Sequence, residues 1–434
     1  MGLKIGLCGA GSFGCAFVPV FQRHPLVDEV YLADVMPDRL AAKAAELKVE
    51  KTFDSLDALC KSDCDCIAIF TQRWKHGPQA VQALRAGKHV YSAVPAAISL
   101  EELDELVKTV EETGLLYMLG ETSYYRAQTT FCRNKFAEGG FGKFVYGEGQ
   151  YHHDMAHFYK SYMHSGGDEW KRTASFPPML YPTHSTAFIL GATFSRMTEV
   201  SCFGFVDEHP DGIFDPELSQ WGNVFSNQSA LFRTSDGGMA RVNEFRRIGA
   251  GNGRMTLMGT RGAYEEQQGP GALHALSAIY SWLDFPDDYI RDGQVPFAEA
   301  HKLVPFKKQD VSDICLFDGV KVTEENIGDL PREYLGKEFL GISAAQPWQQ
   351  LPVEFAGVRN GHEGVHVFLV NDLVRSLTEQ KLAPNHVWLA ARYNAPGIVA
   401  HESSKRGGEL LKIPDYGMPP ADWPTLDVTF PLQP

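Results

Sequence analysis

No stretch of this 434-residue chain approaches the roughly 18 uninterrupted apolar residues that a membrane-spanning helix needs. No membrane partner is therefore expected. Positive charge is also in deficit: 40 Lys and Arg face 54 Asp and Glu, a net charge of −14, which argues against nucleic acid and against docking on an anionic lipid surface. The eight cysteines are scattered, and Cys60, Cys64 and Cys66 lack the paired CxxC spacing of a zinc site. They read as reduced, buried small hydrophobes. There is no internal repeat or low-complexity tract. The first residues run straight into an apolar strand, leaving no room for a signal peptide, so a cytoplasmic protein is expected. At 44% hydrophobic and 22% charged, the chain has the makeup of a soluble globular protein long enough for two domains.

What is present begins at Lys4. The apolar run Ile5-Gly6-Leu7-Cys8 feeds into Gly9-Ala10-Gly11-Ser12-Phe13-Gly14, and a mostly apolar, helix-forming segment follows to Phe21. In such a fingerprint the first glycine permits the tight turn, the second lets a pyrophosphate approach the backbone, and the third lets helix and strand pack closely. The helix N-terminus then offers free N–H groups and a positive dipole end to the phosphates. The next strand, Val30 to Ala33, ends at Asp34, roughly 20 residues beyond the fingerprint, where a carboxylate bonds the ribose 2′-hydroxyl. That favours NAD over NADP, although Arg39 lies near enough to tolerate the latter.

Residues 3 to about 122 alternate apolar strands with amphipathic, helix-length segments, the rhythm of a doubly wound parallel sheet. Ligands of such sheets bind beyond the carboxyl ends of the strands, so Thr71, His76 and Pro95 join Gly9, Gly11, Ser12, Phe13, Gly14 and Asp34 as the expected cofactor contacts. After Tyr125 the pattern changes. A helix over 126–137 and alternating strands at 144–151, 199–206, 223–234, 239–245 and 254–259 predict an α+β domain with a largely antiparallel sheet open on one face. Helices are expected at 364–379 and 387–405. The fold class is thus α/β, with an N-terminal Rossmann domain over 1–124 and a substrate-binding and oligomerisation domain over 125–434; residues 265–350 carry no clear pattern. The open face calls for a second copy, a homodimer or homotetramer.

The fingerprint, the Ala86-Gly87-Lys88-His89-Val90 run before a strand ending in Pro95, and the second open-sheet domain resemble the glucose-fructose oxidoreductase, inositol dehydrogenase and rhizopine catabolism protein superfamily. The resemblance implies NAD or NADP and oxidation or reduction of a hydroxyl on a sugar or cyclitol. The departures narrow it. Where ordinary dehydrogenases of that superfamily carry Glu-Lys-Pro this chain has Ala93-Val94-Pro95, and the aspartate customary four residues before the catalytic histidine is Leu180 if that histidine is His184. Val94-Pro95-Ala96, the Gly149-to-Asp154 segment, Tyr181-Pro182-Thr183-His184 and Gly361-His362-Glu363-Gly364 are similar to motifs of the NAD-dependent glycosidases of glycoside hydrolase family 109, with Ala93 and Glu363 as departures. That likeness implies a cycle in which a sugar C3 hydroxyl is oxidised, the acidified C2 proton is removed with loss of the C1 substituent, water adds and the ketone is reduced.

The residue types suit this chemistry, since His and Tyr transfer protons once tuned by their neighbours. Tyr151 and His153 fall on one face of an extended strand, and Tyr181 and His184, following Pro177-Pro178, would begin a helix on a shared face. His184 is assigned to the C3 hydroxyl, Tyr151 to the C2 proton, and His153 and Tyr181 to support or the leaving group. His362 and Trp170 are candidates for sugar contact, with Trp74, Trp221 and Trp388 as further aromatic surfaces that core packing also explains. His152, His153, Asp154 and His157 suggest a metal site, but His152 and His153 face opposite sides of a strand, so no metal is expected. Three functions stay open: a cofactor-recycling glycosidase, a plain sugar dehydrogenase, and an NAD-binding sensor without catalysis.

Overall fold

Parallel strands buried on both faces need near-continuous apolar runs, and the first third of the chain supplies them. Six strands, β1 (Leu3–Cys8), β2 (Val27–Ala33), β3 (Lys51–Phe53), β4 (Cys66–Ile69), β5 (His89–Ser92) and β6 (Tyr117–Leu119), form a parallel sheet in the order β3-β2-β1-β4-β5-β6. The order reverses between β1 and β4, which opens the ligand crevice beyond their carboxyl ends. Connecting helices start and stop where local chemistry dictates. Ser55 and Ser99 cap the helices Leu56–Cys60 and Leu100–Thr113, and Gly114 ends the latter in the left-handed conformation. This computed structural model describes residues 2–249, 252–267 and 360–426, with short segments between at 277–282, 307–310, 314–315, 321–322, 342–343, 345–347, 350–355 and 358. Most of the stretch 265–350, which has no clear sequence pattern, lies outside the described residues.

The second sheet contains β7 (Phe144–His152), β8 (Met197–Val206), β9 (Phe225–Thr234), β10 (Met239–Phe245), β11 (Asn252–Gly259), β12 (Gly262–Gln267), β13 (Ser277–Trp282) and β14 (Lys307–Asp310). Its order is β14-β13-β12-β11-β7-β10-β9-β8, with Leu411–Lys412 added at the β8 edge. Pairing is antiparallel except between β7 and β10, where Met239 stands opposite Tyr146 and Phe245 opposite His152. The helix Thr183–Thr193 packs on the β7 side and is buried through Ala192, which is why its sequence shows no amphipathic period. A Cβ on Gly149 would sit 2.0 Å from the Ser185 carbonyl oxygen, so strand and helix meet backbone to backbone.

The helix Val387–Lys405 runs between the two sheets, and its Asn394 side chain accepts from the Ala96 N–H at 2.8 Å and donates to the Ala97 carbonyl at 2.9 Å. It thereby fixes the loop after β5. The helix expected from 364 is a short turn, Gly361–Gly364, followed by His366–Glu379.

The opposite face of the second sheet is less apolar than alternation alone predicts. Arg233–Glu199, Arg241–Glu148 and Arg254–Gln150 contacts lace its middle, and the exposed apolar side chains Phe203, Phe205, Leu231 and Met239 lie on β8, β9 and β10. No helix among the described residues is long and apolar enough to cross a membrane.

Candidate active site

The glycine turn has the shape the sequence demands. Gly9 adopts φ of +109°, and a Cβ there would lie 2.6 Å from the Phe70 carbonyl oxygen. A Cβ on Gly11 would meet nothing within 4 Å, and no side chain caps the helix Ser12–Arg23, so its first N–H groups are left for a ligand. Such a terminus fits a pyrophosphate. Asp34 sits under the turn and accepts from the Ala10 N–H at 2.7 Å and the Met36 N–H at 2.8 Å. Arg39 grips the same carboxylate through two nitrogens, so a ribose hydroxyl reaching Asp34 shares it with Arg39.

His76 departs from its expected role of cofactor contact. It is buried, with Nδ1 3.0 Å from the Pro95 carbonyl and Nε2 3.1 Å from the Thr71 carbonyl. Burial pushes its pKa down to about 4. It sits between the two loops that carry Thr71 and Pro95, and as a neutral ring with a single N–H it donates to one of these two carbonyls. His362 also lies nearer the cofactor side than a pure sugar contact: it is exposed, its ring meets Phe13 of the fingerprint edge-on at 5.2 Å, and its Nδ1 is 2.8 Å from Nε2 of His366.

The four proton-handling candidates come together. Tyr151 stands on β7, His153 follows the strand end, and their rings stack 5.1 Å apart. The Tyr151 and His184 rings are 5.0 Å apart, those of Tyr181 and His184 5.3 Å, and those of Tyr151 and Tyr181 6.3 Å. One detail differs from expectation: Tyr181 precedes the helix that starts at Thr183, because Pro177 and Pro178 start a separate turn over Pro178–Leu180. The ring still reaches His184.

Three further residues stand beside these rings, Glu121 and Arg73 in loops 121–125 and 71–76 beyond the strand ends, and Arg246 after β10. Glu121, two residues beyond β6 and without solvent exposure, accepts from Nδ1–H of His184 at 2.7 Å. Burial alone would raise its carboxyl pKa, but the charge of His184 and its hydrogen bond more than offset that, and the pKa lies below the ordinary value. Arg246 lies over the Tyr151 ring at 5.0 Å and pairs with buried Glu244. Arg73 lies over the Tyr181 ring at 4.9 Å. Burial raises the Tyr151 phenol, with Arg246, Arg126 and Arg73 pulling it back, while burial and then the Arg246 charge drive His153 down to about 4. Burial likewise raises Tyr181. At neutral pH the site therefore holds two phenols and a neutral imidazole beside the Glu121–His184 pair.

Trp170 does not join these rings. It packs on Tyr159 at 5.5 Å beside a small separate core of Met155, Tyr162, Ala174, Ile213 and Phe214. Trp74 and Trp221 pack together with Phe176, and Trp388 is buried against Trp423. His152 stacks on Phe245, on the sheet face away from His153, as period-two alternation requires.

Residues 3–121 match the oxidoreductase family with an NAD-binding Rossmann fold, GFO_IDH_MocA. Among curated proteins, a glycosyl hydrolase family 109 protein of Saccharopolyspora erythraea is 30% identical over 194 residues, 42% of this chain and 42% of that protein. Another, from Porphyromonas gingivalis, is 30% identical over 39% of this chain and 38% of its own length. The matched stretch is thus less than half the length of these relatives. Among solved structures, levoglucosan dehydrogenase in complex with NADH and levoglucosan is similar with a TM-score of 0.67 at 15% identity, over 95% of this chain and all of that one. Apo scyllo-inositol dehydrogenase from Lactobacillus casei has a TM-score of 0.60 at 16% identity, over 95% of this chain and 98% of that one.

Proposed function

Starting from a chain whose residues 3–121 are a Gfo/Idh/MocA oxidoreductase domain linked by sequence to glycosyl hydrolase family 109 proteins, we propose that it is an NAD-dependent, redox-assisted glycosidase acting on a sugar glycoside. The observation that carries the reading is the number of proton-handling groups meeting at one point. Oxidising an alcohol needs one base; here Tyr151, His153 and Tyr181 stand around His184 in addition to its partner Glu121.

The turn at Gly9 to Gly14, the uncapped helix start and Asp34 with Arg39 fit NAD. When bound, NAD supplies reversible oxidation of a carbinol carbon to a ketone. The chain's own residues handle the protons. Glu121 holds Nδ1–H of His184, leaving Nε2 to take the C3 hydroxyl proton. Tyr151 is assigned the C2 proton: its phenol proton passes to His153, neutral and stacked beside it, and the phenolate, flanked by arginines, takes the proton from C2. Tyr181, kept protonated by burial, protonates the departing C1 oxygen. Purified protein is expected to cleave glycosides after gel filtration, without added oxidant and without accumulating NADH. NADH formed in step with sugar consumed would instead establish the dehydrogenase reading, which the likeness to sugar dehydrogenase folds favours. Tight NAD binding without turnover would leave a sensor.

We also propose that the open sheet face pairs with a second copy, giving a homodimer or homotetramer, since Phe203 and Phe205 stand 65% and 62% exposed on its β8 edge. Light scattering at micromolar concentration is expected to give a multiple of the chain mass; a monomer mass rejects the interface.

A further inference from the structure

Arg73 opens the three-residue turn Arg73–Lys75 that follows β4, so the topology delivers it to the crevice beyond the strand ends. Its guanidinium lies over the rings of Phe176 at 5.2 Å and Tyr181 at 4.9 Å, and one nitrogen donates to the Tyr162 hydroxyl at 3.0 Å. Among the described residues no carboxylate pairs with it. Other arginines near the cleft are treated differently: Arg39 grips Asp34, Arg246 holds Glu244, and Arg247 holds Asp207 and Asp211. The two buried carboxylates nearest the reacting rings are both committed, Glu121 to His184 and Glu244 to Arg246.

A half-buried cation that meets, among the described residues, ring faces and a phenol keeps its full charge in a medium that screens poorly. Aromatic faces attract a guanidinium without neutralising it, and its planar fork leaves donors suited to two oxygens of one anion. Resting on the glycosidase reading of this same site, we infer that the substrate is an anionic glycoside, one whose sugar or leaving group bears a carboxylate or sulfate ester seated on Arg73. The Tyr162 hydroxyl accepts from the guanidinium, and Tyr162 belongs to the small core of Met155, Ala174, Ile213 and Phe214. The segment over residues 155–174 therefore helps to set where that anion sits.

The test uses the NAD-loaded protein and paired ligands differing only in charge: methyl glucosides against methyl glucuronides of both anomers, the galacto pair, and the corresponding 6-sulfates. Calorimetry is expected to show at least one anionic member binding about 10- to 100-fold more tightly than its neutral counterpart, the scale of a charge-assisted hydrogen-bonded pair. The preference should shrink as salt is raised. In Arg73→Met and Arg73→Gln the ratio should fall towards one, with Arg73→Lys between. Uronates preferred over sulfates identify a carboxylate; the reverse identifies a sulfate ester.

Equal or better binding of the neutral member in every wild-type pair overturns the inference without needing a variant. So does an Arg73→Met protein that keeps the preference but loses NAD affinity, which would place Arg73 on the cofactor. Binding is read apart from cleavage. An Arg73-dependent preference without glycoside cleavage keeps the anion site and removes the glycosidase, whereas cleavage of neutral glycosides with no anionic preference does the opposite.

Discussion

Sugar released by this protein in heavy water is expected to carry deuterium at C2. A C3 ketone acidifies the neighbouring C2 proton, and the base that removes it exchanges with solvent before the bond is restored, so each turnover leaves a solvent-derived hydrogen there. A plain dehydrogenase has no reason to break that bond, and neither has a glycosidase working by direct displacement between two carboxylates. The residues divide the outcome further. Tyr151→Phe removes the proposed C2 base and is expected to lower exchange and cleavage by about 10²- to 10⁴-fold. Reduced nicotinamide formed on first contact with substrate should be suppressed far less. His184→Ala suppresses both, since oxidation comes first. Mass spectrometry or proton NMR of the product decides the matter: cleavage with only protium at C2 would end the redox-elimination reading, as would cleavage by protein stripped of NAD.

Glu121→Gln should be nearly as damaging although Glu121 lies behind the reacting groups. The carboxylate only accepts, so it fixes the proton on Nδ1 of His184 and leaves Nε2 free for the substrate. An amide of the same shape can present its N–H to Nδ1, which turns the ring to the other tautomer and puts a hydrogen where a lone pair is needed. The expected result is a fall in kcat of about 10²- to 10⁴-fold with KM and NAD affinity nearly kept. A merely structural role would instead lower both constants' quality together through partial unfolding, which thermal melting would reveal. The pH response has a definite sign. With its folded pKa depressed below the unfolded value, Glu121 adds stability that is fully present above the ordinary carboxylate value and is lost as pH falls through the folded one. In the Gln variant that acid-side dependence should weaken.

Much of this arrangement was legible from local pattern, for reasons that also explain what was not. The parallel sheet announces itself because strands such as Cys66–Ile69 are buried on both faces and so are apolar without interruption. Tyr151 and His153 could be placed together because two-residue alternation survives even where the strand ends, at His152. Tyr181 and His184 meet although the helix begins only at Thr183, since three residues of a turn and of a helix cover similar ground. Glu121 had a signal, a carboxylate just past an apolar strand, but its partner stands 63 residues further on and no periodicity spans that interval. Arg246 follows β10 with no motif at all; only strand pairing brings it over the Tyr151 ring. His76 misled because position at a strand end predicts nearness to the crevice and says nothing of which way the ring turns. An aromatic side chain suits a sugar's apolar face or a core equally well, and Trp170 packs, partly buried, against a small core of its own.

The direct contact of Gly149 with the Ser185 carbonyl has a consequence for how this scaffold diversifies. The distance between the strand bearing Tyr151 and the helix bearing His184 is set by main chain against main chain, with no side chain between to be enlarged, trimmed or rotated. Changes elsewhere leave that gauge untouched. Arg73 and Tyr162, by contrast, sit on a turn and on an outlying segment, joined by one hydrogen bond. The spacing of the reacting rings is thus held by main chain, while the proposed anion contact hangs on a short turn and a small outlying core, the parts of this site that can change with the least disturbance to the strand and helix behind it.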